Sequence, residues 1–567
     1  MDLVLSDHRA TDAEREAIAS VLGDELDAWR GGDDRQRHLH TATGGQRQRG
    51  IRHRLLPTLH AVNDRVGWIS RGAINEIARR LDVAPAEIYG VATFYGLFST
   101  TERAAHQVHV CVDLACLGQV VPDGAHPSAC LGLCERAPAA MTIDAGVDRK
   151  VTVWPSAPAS DAVPQAGDPS LVLLRRAGVV DPTSIDSYLA HGGFNALEAA
   201  RTRGAAEVIA QVTASGLAGR GGAAFPTGRK WAAVAAHDSR PRYLVVNADE
   251  SEPGTFKDRV LMENDPFSIV EAAIIAMEAT RCTQGFIYLR GEYPLARTLL
   301  EGAIAQCVAR GYLDNAERLS VFLGAGAYIC GEETAIFNSI EGYRGEPRSK
   351  PPFPVDAGLW GCPTLVNNVE TLVNVLPIVL DGAEAYRARG TDGSPGTKLF
   401  CVSGSVARPG VYEVSFGVTL RQLLDLCGGV VTGRELRAVL LGGAAGGFAT
   451  ADDLDVPLTF EGTRAAGLTL GSGVVMVIDD QVDLGAVVRR IAEFFRDESC
   501  GQCVPCRVGT VRQHELLERH AGRAPLAHDA VLLADIAQVM RDASICGLGQ
   551  TAANAIESAV RKLGVLS

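Results

Sequence analysis

The sequence predicts a multidomain α/β chain that ends in a helical domain. Three observations carry this. At 567 residues the chain exceeds what one hydrophobic core can organise. Short apolar strands such as RYLVVNADES and QGFIYLRGEY alternate with helical stretches, the pattern of an α/β layer. Two clusters of cysteines, one in each terminal part, mark separate modules.

The composition, 47% hydrophobic and 21% charged, is that of an ordinary globular protein. No uninterrupted apolar run reaches the roughly 18 residues of a membrane span. The best candidate, SIVEAAIIAMEAT, is broken by Glu271. The opening MDLVLSDHRATDAERE is acidic and has no apolar core of an export signal, so a cytoplasmic chain is expected. In that reducing setting, clustered thiols among the 14 cysteines speak for metal or redox chemistry rather than disulfides. A net charge of -13 excludes nucleic acid as a partner of the whole chain. The local exception, RQRHLHTATGGQRQRGIRHR from Arg35 to Arg54, is expected to be a surface-wrapping extension.

Residues 1–154 form the first module. AINEIARRLDVAPAEIYGVATFYGLF has helical spacing, with Pro85 opening a second helix, and the strand QVHVCVD leads into cysteines. Residues 155–169, PSAPASDAVPQAGDP, carry no hydrophobic period and are expected to be a linker. In residues 170–390, helical SIDSYLAHGGFNALEAA and AAEVIAQVTASGL precede the glycine-rich GLAGRGGAAFPTGRKW and then the strands. Residues 391–482 read as a small α+β unit, with TKLFCVSGSVARPGVYEV as two strands and TLRQLLDLCGGV as a helix. Residues 483–567 are helical, Val487, Val488, Ile491, Phe494 and Phe495 sharing one face.

In ESCGQCVPCRVGT, Cys500, Cys503 and Cys506 have the C-x2-C-x2-C spacing that holds three corners of a [4Fe-4S] cluster. Thr510 stands where a ferredoxin run would place the fourth thiolate. Cys546, in DASICGLGQTA, is the remaining cysteine of the helical domain, and a helical hairpin can return it. Gly547 and Gly549 would let backbone N–H groups approach the sulfides. Zinc on the same four thiolates is the alternative. The second set, Cys111 and Cys116 followed by Cys130 and Cys134, gives two pairs, as a [2Fe-2S] centre requires. The other six cysteines stand alone in apolar surroundings and are expected to be small core residues.

Gly219, Gly221 and Ala224 formally fit a dinucleotide fingerprint, but the strand follows the loop instead of preceding it. A glycine loop still admits a cofactor closely, and Lys230 adds positive charge. Asp249, Glu250 and Glu252 in NADESEPGT, and Glu332 and Glu333 in GAGAYICGEET, are acceptors suited to sugar hydroxyls.

GLAGRGGAAFPTGRKW, NADESEPGTFKD, GAGAYICGEETA, SKPPFP, NNVETL and ESCGQCVPCRVGT resemble, in this order, the NADH-oxidising flavoprotein subunit of respiratory complex I. The first module resembles the small thioredoxin-like [2Fe-2S] subunit of the same complex, through APAEIYGVATFYGLF and its two cysteine pairs. The resemblance implies a fused chain: a shortened thioredoxin-like [2Fe-2S] domain, a Rossmann-like domain for FMN and NAD(H), a ubiquitin-like (soluble-ligand-binding β-grasp) domain and a [4Fe-4S] helical bundle. It places FMN on Gly219, Gly221, Lys230, Asn247, Asp249, Glu250, Ser251, Gly331, Glu332, Asn367, Asn368 and Thr371. It places NADH on Phe225, Glu252, Tyr328, Glu333, Lys350 and Phe353. No side chain is implied as an acid or base; Glu333, Glu252 and Lys350 position the dinucleotide, and the hydride chemistry belongs to FMN.

Three departures are visible. Ala224 replaces a glycine usual in the family, Ala233 stands where an aromatic often stacks on adenine, and only 13 residues separate Cys116 from Cys130. The short spacing implies that a helix and part of a strand of the thioredoxin-like fold are missing. The ending MRDASICGLGQTA resembles the beta subunit of molybdenum- or tungsten-dependent NAD-linked formate dehydrogenases. The implied partner is then a large catalytic chain with iron-sulfur clusters and a molybdenum or tungsten pterin centre. Hydrogenase subunits, served by the diaphorase chain of an NAD-reducing hydrogenase, are the alternative, and a complex I flavoprotein fusion is a further one.

Overall fold

A computed structural model describes residues 5–23, 50–521, 526 and 528–565. Residues 35–49 of the basic stretch lie outside the described residues.

The first module begins with helices Asp12–Leu22, Leu55–Val66, Arg71–Leu81 and Pro85–Ala92. Thr11 and Glu14 cap the first reciprocally, Ser70 caps the third, and Pro85 starts the fourth where its missing N–H costs nothing. Ile18, Leu59, Val62, Ile77 and Leu81 form their shared core. Four strands follow: β1 (His106–Cys111), β2 (His126–Ser128), β3 (Ala140–Asp144) and β4 (Lys150–Trp154), in the order β2-β1-β3-β4. β2 runs parallel to β1, with His109 opposite His126, and β3 and β4 are antiparallel. A parallel connection usually crosses through a helix. Here a single 3-10 turn, Leu114–Cys116, is the one helical element between β1 and β2, as the short cysteine spacing implies.

The central sheet consists of β5 (Tyr243–Ala248), β6 (Gln284–Leu289), β7 (Leu319–Leu323) and β8 (Thr364–Asn368), all parallel in the order β7-β6-β5-β8. Chain order reverses between β5 and β8, and in such sheets the ligand crevice is expected at the carboxyl ends of the strands there. The apolar run around Glu271 is the core helix Pro266–Thr280, too short to span a bilayer. Glu271 is tolerated inside because Tyr188 Oη, Phe194 N and Leu197 N all donate to it. Among the described residues no helix is long and apolar enough to cross a membrane.

The α+β unit contains β9 (Thr397–Gly404), β10 (Gly410–Ser415), β11 (Leu436–Leu441), β12 (Gly447–Ala449) and β13 (Val474–Asp479), in the order β10-β9-β13-β11-β12. β13 is parallel to β9, and helix Leu420–Leu426 starts at a Thr419–Gln422 capping box. In the last domain, helix Leu484–Asp497 buries Val487, Val488, Ile491, Phe494 and Phe495 as expected. Helices Val504–His520 and Asp529–Ala543 form the hairpin that returns Cys546.

Residues 155–169 differ from a free linker. Their sequence has no hydrophobic period, yet Ala162 and Val163 are buried, and Gln165 exchanges hydrogen bonds with the Glu413 backbone at 2.7 and 3.3 Å. The strap is fixed by polar backbone contacts that a periodicity reading does not register. The adjoining residues are fixed by Glu413, whose carboxylate accepts from Val172 N, Leu173 N and Leu174 N.

The first module is seated on the central domain by buried charge. Arg259 reaches Gly132 O at 2.9 Å, Glu135 at 2.5 Å and Glu263 at 2.8 Å; Arg290 reaches Cys130 O at 2.5 Å and Glu292 at 2.9 Å. Burial opposes the charge of Arg259, and the two glutamates overcome it, holding its pKa above the usual range. Truncating one partner of such a set strands the others in a dry interior. Arg259→Met is therefore expected to cost about 3–5 kcal/mol and to lower the unfolding midpoint by several degrees. Arg421→Ala, which removes an exposed pair with Asp455, is expected to leave it in place. Differential scanning calorimetry of both variants checks the contrast.

Candidate functional site

The carboxyl ends of β5 and β8 set the geometry. Asn247 stands opposite Asn368 in register, and Asn367 precedes it on β8. The Asn367 side chain accepts from Trp231 Nε1 at 2.9 Å, and Asn247 Nδ2 donates to Gly331 O at 2.8 Å. The glycine loop closes over this edge. Gly219 N donates to Phe225 O and Arg220 N donates to Thr371 Oγ1 at 2.7 Å. A Cβ at Gly221 would lie 3.1 Å from Asn368, so only glycine lets the loop settle there without displacing it. Ala224, where the family usually has glycine, takes φ 52°, a left-handed conformation that strains an alanine.

The acidic residues divide into two groups. Asp249 Oδ2 is buried without a hydrogen-bond partner, and burial pushes its carboxyl well up. It lies against Gly331, where a Cβ would sit 3.6 Å away, so an unpartnered carboxyl oxygen stands at the strand end. Ser251 is buried beside it in sequence. Glu250 and Glu252 are engaged elsewhere. The Glu250 carboxylate accepts from Asp258 N and Arg259 N at 2.9 Å each, at the start of helix Lys257–Asn264. Glu252 accepts from Ala445 N at 3.1 Å and Ser472 Oγ at 2.7 Å, tying the central domain to the α+β unit. Both carboxylates already have partners within the protein: a helix start holds Glu250 and an interdomain seam holds Glu252.

At the mouth, Glu332 caps helix Glu333–Ile340 through Thr334 N and Ala335 N. Lys350 bridges Glu332 and Glu333 at 2.8 Å each, and Lys230 reaches Glu333 at 3.1 Å. Burial would raise the Glu333 carboxyl, but the two lysines outweigh it and hold it below its usual value. Phe225 and Phe353 are exposed at 45% and 54%, two aromatic faces open to a planar ligand. Tyr328 N donates to Glu498, and its ring packs 5.0 Å from Phe494 on the cluster-bearing domain. Ala233 is exposed on helix Thr227–Ala236 and offers no ring for stacking.

Both cysteine sets come together. Cys130 and Cys134 sulfurs are 3.4 Å apart, Gly132 N donates to Cys130, and Cys111 interacts with both Cys116 and Cys130. Cys546 neighbours Cys500 and Cys506, and Cys503 neighbours both of these. Thr510 is buried within helix Val504–His520 and bonds back to Cys506 O, so it is no ligand. Gly549 is required, because a Cβ would strike Ser544 and approach Cys506 Cβ to 2.9 Å. Its N–H and that of Leu548 point at Cys546. Burial pushes Cys506 up to about 12 and Cys546 up to about 11, and the bond to Cys111 pushes Cys130 up to about 12. Among the described residues no three His, Cys, Asp or Glu side chains converge as a single metal ion demands. The donor sets fit clusters, whose own atoms fill the space between the thiolates.

Sequence reasoning did not single out Arg220, Lys257, Asp258, Arg259, Arg290, Glu370 or Lys398, all buried around the crevice. Lysine within the otherwise apolar strand TKLFCVSG was the available signal for Lys398.

Residues 212–377 match the Nuo51 FMN-binding domain, 486–564 the NADH-ubiquinone oxidoreductase-F iron-sulfur binding region, 43–126 the thioredoxin-like [2Fe-2S] ferredoxin family and 399–449 the SLBB domain. The NADH-quinone oxidoreductase F subunit of Streptomyces coelicolor is 45% identical over 387 residues, covering 67% of this chain and 86% of that protein. The HndC subunit of the NADP-reducing hydrogenase of Solidesulfovibrio fructosivorans is 41% identical over 395 residues, covering 68% and 80%. A crystal structure of an NAD+-reducing [NiFe]-hydrogenase in the air-oxidised state superposes with TM-score 0.77 and 33% identity, over 92% of this chain and 94% of that one.

Cys546→Ala is expected to remove about four iron atoms per chain together with the [4Fe-4S] EPR signal. Cys427→Ala, at a buried thiol of the α+β unit far from either set in sequence, is expected to leave both unchanged. Iron analysis and EPR of the two variants check the assignment.

Proposed function

The chain belongs to the family of NADH-quinone oxidoreductase F subunits, with FMN, [4Fe-4S] and [2Fe-2S] domains, and on that premise we propose that it carries the complete NAD(H) half-reaction of a larger enzyme. The observation that carries this reading is one crevice holding an open buried acceptor, a glycine loop and two exposed aromatic faces, with Tyr328 between it and the cluster domain.

The FMN that these residues would hold would supply the link between two-electron hydride chemistry at the nicotinamide and one-electron chemistry at the clusters. The chain's own residues supply binding and orientation. Gly219, Gly221, Asn247, Asp249, Ser251, Gly331, Asn367, Asn368 and Thr371 line the flavin part, with Glu250 and Glu332 fixing the loops that carry Asp249 and Gly331. Lys230, on the flavin side, pairs with Glu333; Glu333 and Lys350 form the charged rim that positions the dinucleotide, and Phe225, Phe353 and Tyr328 offer it flat apolar contact. Glu252 acts through the seam it holds with Ser472. Cys500, Cys503, Cys506 and Cys546 hold the [4Fe-4S] cluster, and Cys111, Cys116, Cys130 and Cys134 the [2Fe-2S] cluster.

For the partner, two readings have separate support. The ending MRDASICGLGQTA favours a formate-oxidising chain with a molybdenum or tungsten pterin centre. The near end-to-end match to a chain of an NAD+-reducing hydrogenase favours hydrogenase subunits. Free cysteines clustered for metal binding suit a reducing, cytoplasmic setting for either. Mass spectrometry of the co-purifying catalytic chain, with analysis for molybdenum, tungsten and nickel, decides between them.

The isolated, cluster-loaded chain is expected to reduce ferricyanide with NADH and to leave NAD unreduced with formate or hydrogen until a catalytic partner is added. Sustained NAD reduction by either donor, in a preparation free of other chains, would refute the division of labour. Glu333→Ala is expected to raise the KM for NADH with flavin retained, whereas Asn368→Ala is expected to release flavin. Parallel flavin fluorescence and steady-state kinetics check the split.

A further inference from the structure

Beneath the glycine loop lies a group of buried charges that the loop motif does not explain. Lys398, on β9, is fully buried; its Nζ lies 3.5 Å from Arg220 O and 3.7 Å from Glu370 Oε2. Lys257, also buried, lies 3.3 Å from the same oxygen and 2.7 Å from Asp258 Oδ1. The buried Arg220 guanidinium donates only to neutral acceptors, Tyr386 Oη, Pro395 O and Ala218 O, and packs on the Phe416 and Phe460 rings. Asp258 and Glu370 face Lys257, the same Glu370 is the carboxylate nearest Lys398, and no carboxylate pairs with Arg220 among the described residues. Three cations thus stand over two carboxylates. Glu250, farther behind Lys257, is committed to two backbone N–H groups, and burial pushes it up to about 7.

An uncompensated buried charge is costly, and proteins keep one where a ligand completes it. Burial, then the neighbouring cations, pull Lys398 down to about 8, against the pull of Glu370. Glu370 Oε2 has no hydrogen-bond partner. The cluster is wired to the crevice: Arg220 N to Thr371 Oγ1, Thr371 N to Asn368 Oδ1, and Asn368 Nδ2 to Asp258 Oδ2 at 2.6 Å. The other side of the crevice carries Asp249, whose carboxyl burial pushes well up, and Glu332 and Glu333, which Lys350 and Lys230 already neutralise, so no free cation is left there for an anion.

We propose that Lys398, with Lys257 and Arg220, forms a buried cationic floor that compensates a flavin phosphate at the glycine loop, so that the α+β unit makes the site select phosphorylated over unphosphorylated flavin. This deepens the functional reading above and rests on FMN occupying that crevice. Lys398 acts across the Arg220 peptide, as a positioning and specificity residue.

The test uses the full chain stripped of flavin and titrated with FMN and with riboflavin, following flavin fluorescence. Lys398→Met is expected to weaken FMN at least about tenfold while riboflavin changes less than about twofold. Lys398→Arg is expected to retain the preference. Glu370→Gln, which removes an opposing negative charge, is expected to shift the FMN-to-riboflavin ratio the other way, and it keeps the proposal testable if Lys398→Met does not fold. Equal loss of both flavins in Lys398→Met, an unchanged ratio, or a Glu370→Gln shift toward riboflavin would overturn it. So would a raised NADH KM with FMN affinity intact, which would assign the floor to a dinucleotide phosphate. If neither flavin binds the unmodified chain, the underlying site reading fails instead.

Discussion

The arrangement depends on two arginines buried at the carboxyl end of the central sheet. Arg290 donates to Glu250 O and to Cys130 O, and Arg259 holds Gly132 O while its own N–H is bound by Glu250. The same pair therefore fixes the acidic loop of the crevice and the cysteine loop of the neighbouring module. Neither guanidinium can leave without exposing Glu135, Glu263 or Glu292 to an interior that cannot solvate them. The cysteine loop of the first module and the crevice at the sheet end share one rigid support, which is what fixed separations between electron carriers require.

Around that support, the chain brings three modules to one crevice. The central domain contributes the strand ends. The α+β unit contributes Ser472 to Glu252 and Lys398 to the glycine loop. The first module contributes backbone: Gly96 N and Leu97 N donate to Gly326 O and Ala325 O, just ahead of Tyr328, and Tyr95 Oη bonds Ser339. The loop bearing Tyr328, Gly331 and Glu332 is thus pinned from outside its own domain.

Much of this was legible in the sequence. The cysteine spacings, the interruption at Thr510 and the glycines around Cys546 state a chemistry in local order, and the parallel strands follow from apolar runs between helices. What was not legible was which carboxylates are spent on structure. Glu250 and Asp249 are adjacent and alike in sequence, yet one is saturated by a helix start and the other has an open oxygen. Partners more than 100 residues away, such as Gly132 to Arg259 or Arg220 to Lys398, leave no periodic trace. The strap at 155–169 hid in the same way, because its anchors are single polar bonds.

That strap has a consequence for how the protein behaves on dilution. Covalent connection turns the docking of the cluster-bearing first module into an intramolecular event, at an effective concentration on the order of millimolar. A module detached by a transient opening is recaptured before it can diffuse away, whatever the protein concentration. Within this chain the two cysteine sets therefore keep fixed stoichiometry at any dilution.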